Sequence, residues 1–146
     1  MDNKEFKKII QDCISHYGFI YQNKNYYHVT KDLIVVINFQ KSNYENAYYI
    51  NYGFWVKQIH EETKYPSVEM CDVMGRFNNL MGEKMEHSFG LDTLNEDELT
   101  ENIKRNISTL IIPVIENGVE KYFEMFPKAI YAAKIPLRSY LNNETI

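Results

Sequence analysis

The chain has 146 residues, of which 45% are hydrophobic and 25% are charged, so its composition is that of one globular domain rather than a disordered chain. Its formal charge of −4 is unevenly spread, with a net +2 on residues 1–42 and a net −6 on residues 43–146. This acidic excess disfavours nucleic acid as a direct ligand of the expected single domain, residues 1–146, and favours a basic protein partner.

The first predicted element is an amphipathic helix. Asp2 and Glu5 have the spacing of a capping box, and apolar residues then recur at helical intervals. Gly18 is a usual helix stop. Two short strands are expected next, at residues 19–22 and 26–30.

A long β-hairpin is predicted at residues 33–56. β-branched and aromatic residues fill its two strands, and Ser42, Asn43 and Asn46 favour a turn between them. Alternation along each strand separates the side chains onto two faces of the sheet. The apolar face is expected to form the core and comprises Leu33, Val35, Ile37, Phe39, Tyr48, Ile50, Tyr52, Phe54 and Val56. The opposite face is polar and aromatic and comprises Ile34, Val36, Asn38, Gln40, Tyr49, Asn51, Gly53 and Trp55.

The segment after the hairpin has weaker signals. Residues 57–67 are polar and contain His60-Glu61-Glu62, so we predict an exposed loop. A fifth strand is expected at residues 68–74, and the spacing of apolar residues predicts a short helix within residues 77–85. The pattern in residues 86–94 is ambiguous.

The last part of the chain is predicted to be helical. Asn95 can cap a helix with Glu98 at the capping-box position, and an apolar stripe follows at helical spacing. Pro113 should kink this helix or start a new one. The whole chain is therefore predicted to be an α+β domain with an N-terminal helix, an antiparallel sheet of about four to six strands in a meander, and C-terminal helices packed on one face.

Linear motifs for catalysis or metal binding are missing from the sequence. Cys13 and His16 form a Cys-x-x-His pair, but no second pair accompanies them and Cys13 belongs to the apolar face of the first helix. His60-Glu61-Glu62 lacks the second histidine of a zinc-protease helix, because Lys64 stands at that position. We expect no metal and no cofactor, and an enzyme is disfavoured, although a site built from residues distant in sequence stays open.

Cys71 and Arg76 allow two interpretations each. A cation near Cys71 would lower the thiol pKa and favour a reactive thiolate, whereas a half-buried strand cysteine would be inert. Arg76 is expected to form a structural pair with an acid such as Glu69 or Asp72, and a clamp on a ligand carboxylate is the alternative.

The polar and aromatic sheet face is the best candidate for a binding surface, because tyrosine is enriched in protein interfaces and the chain has twelve of them. Helices within residues 99–126 could cover this face and bury its polar groups, or the face could stay open to a partner. The candidate ligand- or partner-binding residues are Asn38, Gln40, Tyr49, Asn51, Trp55 and Arg76.

A reducing compartment is favoured by the cysteine content, since Cys13 and Cys71 alone do not make a disulfide framework. The first residues are charged, with no apolar stretch after them, so no signal peptide is expected. The apolar run at residues 110–115 is interrupted by Pro113 and is too short to cross a bilayer. A cytoplasmic protein without a membrane anchor is expected.

The order of these elements resembles a bacterial family known as domain of unknown function 4304. The resemblance covers roughly residues 2–126. It is carried by Tyr17-Gly18-Phe19, by the segments at residues 32–42 and 49–56, by residues 71–80, and by Ile112-Pro113-Val114-Ile115-Glu116. It implies an α+β fold and a small cytoplasmic bacterial protein, and it transfers no catalytic residues.

The expected function is that of a non-enzymatic cytoplasmic binding protein. Its size, negative charge and tyrosine content suggest an immunity-type protein that neutralises a basic protein toxin through an acidic and aromatic surface. The alternative is a small-ligand-binding protein or enzyme that uses a pocket on the Tyr/Asn/Trp face of the sheet. Stacking of single-stranded nucleic acid on that face is disfavoured by the charge. The oligomeric state does not follow from the sequence.

Overall fold

The structure is a computed structural model that describes residues 1–62, 65–81 and 84–142. Its helices are α1 (Asn3–Ser15), α2 (Glu96–Asn106), α3 (Ile112–Asn117), α4 (Glu120–Met125) and α5 (Ile135–Leu141). Its strands are β1 (Ile20–Gln22), β2 (Asn25–Val29), β3 (Leu33–Lys41), β4 (Ala47–Val56), β5 (Val73–Arg76), β6 (Asn79–Met81), β7 (Lys84–Glu86) and β8 (Ser88–Gly90). Short 3-10 helices lie at Lys57–Ile59, Val68–Met70 and Pro127–Tyr131, and a π-helical turn at Ile107–Ile111 joins α2 to α3.

A six-stranded antiparallel sheet is the centre of the fold. β1, β2, β3 and β4 follow one another as a meander, and β5 and β8 both pair with the free edge of β4. β6 and β7 form a separate hairpin. With α1 at the start and helices at the end, this arrangement confirms the predicted α+β class and the meander.

The main core lies on the sheet face that the alternation of β3 and β4 predicted to be apolar. Every residue of that predicted set is buried except Phe39, which packs against the core and is partly buried. α1 and the C-terminal helices cover this face, with Leu99, Ile103 and Tyr122 in the same cluster. The C-terminal helices therefore do not cover the opposite, polar and aromatic face of the sheet.

A smaller second core lies on that opposite face. It comprises Tyr27, Ile34, Val36, Trp55, Val68 and Cys71. The chain between β4 and β5 covers these residues, and the hydroxyl of Tyr27 donates a hydrogen bond of 3.0 Å to the backbone carbonyl of Pro66. The prediction of an exposed loop at residues 57–67 is therefore wrong in part, because this segment contains a 3-10 helix and the buried Pro66.

Two predictions downstream of this segment are wrong. The strand expected at residues 68–74 begins only at Val73, after the 3-10 helix Val68–Met70. The helix expected at residues 77–85 is replaced by β6 and β7, and residues 82 and 83 lie outside the described ranges. Two side chains of α2 supply the reason. Oδ1 of Asn106 accepts a 2.8 Å hydrogen bond from the backbone N–H of Asn78, and Oδ1 of Asn102 accepts one of 2.8 Å from that of Leu80. These two bonds hold the segment extended.

The helix ends agree with the sequence. The Asp2 carboxylate accepts a 2.8 Å hydrogen bond from the N–H of Glu5, and the Asn95 side chain accepts one of 2.9 Å from Glu98. Pro113 lies in the first turn of α3, immediately after the π-helical turn, so a new helical segment does start there. Within the described residues, no helix has both the length and the apolar character needed to cross a membrane.

Candidate functional site

Five of the six predicted site residues come together on the sheet face opposite the main core. The register of β3 and β4 places Asn38 opposite Asn51 and Gln40 opposite Tyr49. The pairing of β4 with β5 then places Arg76 opposite Asn51. We call these five residues the Arg76 patch. Its members come from three neighbouring strands, so the sheet itself sets their spacing.

A network of side-chain amides holds the patch together. The Asn51 amide nitrogen donates to Oδ1 of Asn38 and to Oε1 of Gln40, both at 3.0 Å. Its oxygen accepts a 3.0 Å hydrogen bond from Nε of Arg76. Both hydrogens and the oxygen of the Asn51 amide are therefore engaged, which fixes the orientation of this side chain.

The Arg76 guanidinium is held on two sides. Besides the bond from Nε, its Nη2 lies 3.4 Å from Oε1 of Gln40, and its Cζ lies 4.1 Å from the centre of the Tyr49 ring. A guanidinium has five N–H donors, so three make no hydrogen bond to any residue that the structure describes. Arg76 is exposed, and the described residues place no carboxylate within ion-pair distance of it. The predicted structural pair with Glu69 or Asp72 is therefore wrong.

A shallow depression of about 540 Å³ borders the patch. Besides Gln40, Asn51 and Arg76, it is lined by Glu69, Met74 and His87, all of which are exposed. The patch therefore lies at an accessible and slightly concave part of the surface.

Trp55, the sixth predicted residue, is not part of the patch. It is 6% exposed and belongs to the second core. The His60 ring stacks on its indole, with 3.8 Å between the ring centroids and 18° between the planes. The sheet face is thus divided into an open polar part around Arg76 and a covered apolar part around Trp55.

His60 and Asp72 form a pair that the sequence did not predict. Nε2 of His60 lies 2.7 Å from Oδ1 of Asp72, and Asp72 is only 1% exposed. The other carboxylate oxygen accepts a 2.8 Å hydrogen bond from the backbone N–H of Val56. The interpretation of His60 as part of a solvated loop is therefore wrong, although Glu61 and Glu62 beside it are exposed. His60 and Asp72 are twelve residues apart, and no sequence motif with this spacing could have revealed the pair.

Both cysteines are buried free thiols. Burial, with a smaller contribution from the nearby Asp72, raises the pKa of Cys71 to about 12. Its Sγ donates to the backbone carbonyl of Ser67 at 3.4 Å. Burial also raises the pKa of Cys13. The interpretation of Cys71 as a reactive thiolate is therefore wrong, and Cys13 is the core cysteine that the sequence indicates.

A second cavity, of about 490 Å³, lies beside Trp55. Its walls are the apolar side chains of Ile20, Val29, Ile34 and Trp55 together with Tyr65. Its rim carries the charged or polar side chains of Lys57, His60, Glu61 and Glu62. In residues 1–62, 65–81 and 84–142, no three His, Cys, Asp or Glu side chains gather as a metal site would require.

The comparisons with known proteins bear on the family alone. No curated protein matches the chain, and no solved structure does. A family model described as a domain of unknown function (DUF4304) matches residues 10–117. This segment runs from within α1 to the last residue of α3 and contains both the Arg76 patch and the second core. The chain belongs to the DUF4304 family.

Proposed function

We propose that this chain is a non-enzymatic protein-binding module that recognises its partner through the Arg76 patch. The observation that carries the proposal is the state of Arg76: its guanidinium is positioned by Asn51, Gln40 and Tyr49, yet three of its N–H donors have no partner in the described part of the chain. Arginine and tyrosine are, together with tryptophan, the residue types that are enriched at the energetic centres of protein interfaces.

Pre-organisation of the patch favours binding. Immobilising a long side chain costs roughly 0.5–1.5 kcal/mol on association. Arg76 is already held by two hydrogen bonds and by the Tyr49 ring, so most of this cost is met within the folded chain. A carboxylate or a backbone carbonyl on the partner would complete the donor set of the guanidinium.

The chemistry of the patch favours recognition over catalysis. Its members supply three amides, a phenol and a guanidinium, which are donors, acceptors and an aromatic face. The patch itself includes no carboxylate, imidazole or thiol, the groups that most often transfer protons or attack substrates. Glu69 and His87 line the same depression, but among the described residues neither side chain hydrogen-bonds to a member of the patch.

The more specific form of the proposal is a cytoplasmic, bacterial, immunity-type protein that neutralises a basic protein toxin. The net charge of −6 on residues 43–146 would attract a basic partner over long range. The exposed acids of α2, namely Glu96, Asp97, Glu98 and Glu101, lie on the helical side of the sheet rather than beside the patch. They would therefore steer the partner, while Arg76 would contact it.

Site-specific photo-crosslinking tests the proposal. Benzoylphenylalanine replaces Met74, which borders the patch, and in a control protein it replaces Tyr131, which is 82% exposed and lies among the C-terminal helices. After illumination in the native cytosol, we expect one protein crosslinked at position 74 and not at position 131. The band should disappear when Arg76→Ala is added to the Met74 variant.

Two outcomes would contradict the proposal: identical products at both positions, or a band at position 74 that survives Arg76→Ala. The immunity-type form has a further test. The captured protein, expressed alone, should arrest growth, and co-expression of the wild-type chain but not of the Arg76→Glu variant should restore it.

A further inference from the structure

We propose that the cavity beside Trp55 is a separate site that binds a small amphipathic amine, with an aromatic or aliphatic body and a cationic head. This site goes beyond the protein-binding function proposed for the Arg76 patch. At about 490 Å³ the cavity is in the size range of small-molecule sites, which are mostly apolar with a few polar groups at fixed positions.

The apolar wall provides the place for the body of the ligand. Ile34 and Trp55 are cross-strand neighbours on β3 and β4 and are buried in the second core, so this part of the wall is rigid. Ile20 and Val29, on β1 and β2, are 58% and 54% exposed. An apolar ligand would remove these two large side chains from water, which stabilises a complex.

His60 provides a hydrogen-bond acceptor to the rim when its imidazole is neutral. When the Asp72 carboxylate is ionised, its Oδ1 can accept a hydrogen bond but cannot donate one. Nε2 of His60 then carries the hydrogen of their 2.7 Å bond. In the neutral imidazole, Nδ1 is then an acceptor with a free lone pair. Across the described part of the chain, no residue hydrogen-bonds to Nδ1 of His60.

The charges of the rim select the sign of the head group. Nζ of Lys57 already donates to the backbone carbonyl of Thr30 at 2.6 Å. Glu61 and Glu62 are exposed, and neither forms an ion pair with any other residue that the structure describes. Among the described residues that line the cavity, two carboxylates without an ion pair are therefore available to a ligand, and the one ammonium group, that of Lys57, is already engaged. An ammonium head complements this set, and a carboxylate head does not.

Trp55 is the single tryptophan of the chain and lines the cavity, so its fluorescence provides a local signal of binding there. Phenylpropylamine is the probe, with phenylpropanol and phenylpropionate as its neutral and anionic counterparts. We expect the amine to produce a saturable change in Trp55 fluorescence. The affinity for the acid should be roughly tenfold weaker than that for the amine, and the affinity for the alcohol should lie between the two. Methyl shifts of Ile20, Val29 and Ile34 in NMR spectra should follow the same order.

Charge variants separate this site from a general attraction for cations. The double variant Glu61→Gln, Glu62→Gln should bind the amine no better than the alcohol. The control Glu45→Gln, Glu101→Gln removes the same charge from exposed positions elsewhere and should keep the preference. Arg76→Ala should bind the amine like the wild type, so failure of this site and failure of the patch are distinguishable.

The proposal is overturned if the amine produces neither a saturable fluorescence change nor shifts of the three methyl groups. It is equally overturned if the acid binds as tightly as the amine, or if both pairs of glutamate variants weaken amine binding to the same extent.

Discussion

Nε2 of His60 lies 2.7 Å from Oδ1 of Asp72, and this contact joins the segment that follows β4 to the residue that precedes β5. The same carboxylate accepts the backbone N–H of Val56, the last residue of β4. One buried acid therefore holds both ends of the segment that covers the second core. The cavity beside Trp55 depends on this cover, because His60 lines it.

Asp72→Asn should destabilise the fold. The asparagine amide would turn its N–H donors towards either the Val56 N–H or His60, so a buried donor would lose its acceptor. We expect a loss of about 1–3 kcal/mol in the free energy of unfolding, measured by urea denaturation. Asp92→Asn is the control, since Asp92 is exposed, and should change stability by less than about 0.5 kcal/mol. Equal stability of the two variants would contradict this role of Asp72.

Gly75→Ala should also destabilise the protein, for a steric reason. A Cβ at position 75 would overlap the ring of Tyr52, whose hydroxyl lies 2.8 Å from that of Tyr122 in the main core. The expected loss is about 1–3 kcal/mol by urea denaturation. Gly90→Ala is the matched control, because its nearest neighbour would be Oγ1 of Thr93 at 3.6 Å. A tolerated alanine at position 75 would show that the Tyr52 ring can move.

Asn106→Asp tests the side-chain bonds that hold β6 extended. The Asn106 amide donates to the carbonyls of Asn78 and Asn102 at 2.8 and 2.7 Å, and the residue is 1% exposed. An aspartate would place a buried carboxylate against two carbonyl oxygens, and we expect a loss of about 3 kcal/mol or more. Hydrogen exchange should accelerate first at the amides of Asn78 and Leu80.

The control for Asn106→Asp is Asn117→Asp. Asn117 makes the same kind of bond, 2.9 Å to the carbonyl of Pro113, but it is exposed. The loss in the free energy of unfolding should be well below that of Asn106→Asp. Unchanged exchange at Asn78 and Leu80 in the Asn106 variant would contradict the account of this segment.

Stability should fall at alkaline pH because of Cys71. The pKa of its thiol is about 12 in the folded protein against an ordinary value of 9, so the unfolded chain releases the proton first. The contribution of the neutral Cys71 thiol to the free energy of unfolding is complete below pH 9 and is lost between pH 9 and 12, with a slope of at most about 1.4 kcal/mol per pH unit. Urea denaturation across this window should show a shallower slope for Cys71→Ala. Parallel curves for the two proteins would contradict the assignment.

The core face could be predicted from the sequence because strand alternation depends only on neighbouring residues. Residues 33–56 have the period of two throughout, and the same alternation brought Asn38, Gln40, Tyr49 and Asn51 onto one face. The helix caps at Asp2 and Asn95 are equally local and were predicted for the same reason.

The cover of the second face could not be predicted, because it depends on contacts between residues far apart in sequence. The bonds of Tyr27 to Pro66 and of His60 to Asp72 have no local signature. They moved Trp55 from the expected binding face into a core. The helix expected at residues 77–85 failed similarly, since the bonds that hold this segment extended come from Asn102 and Asn106, more than twenty residues further along the chain.

The affinity of the partner captured at position 74, measured by titration calorimetry with wild type and Arg76→Ala, tests directly whether Arg76 contacts this partner. We expect roughly a 30-fold or greater loss of affinity for Arg76→Ala and a similar loss for Arg76→Lys, because an ammonium group lacks the planar fork of a guanidinium. The exposed control Lys128→Ala should lose no affinity. Circular dichroism should show that all three variants fold. Equal affinity of wild type and the folded Arg76→Ala variant would contradict the account.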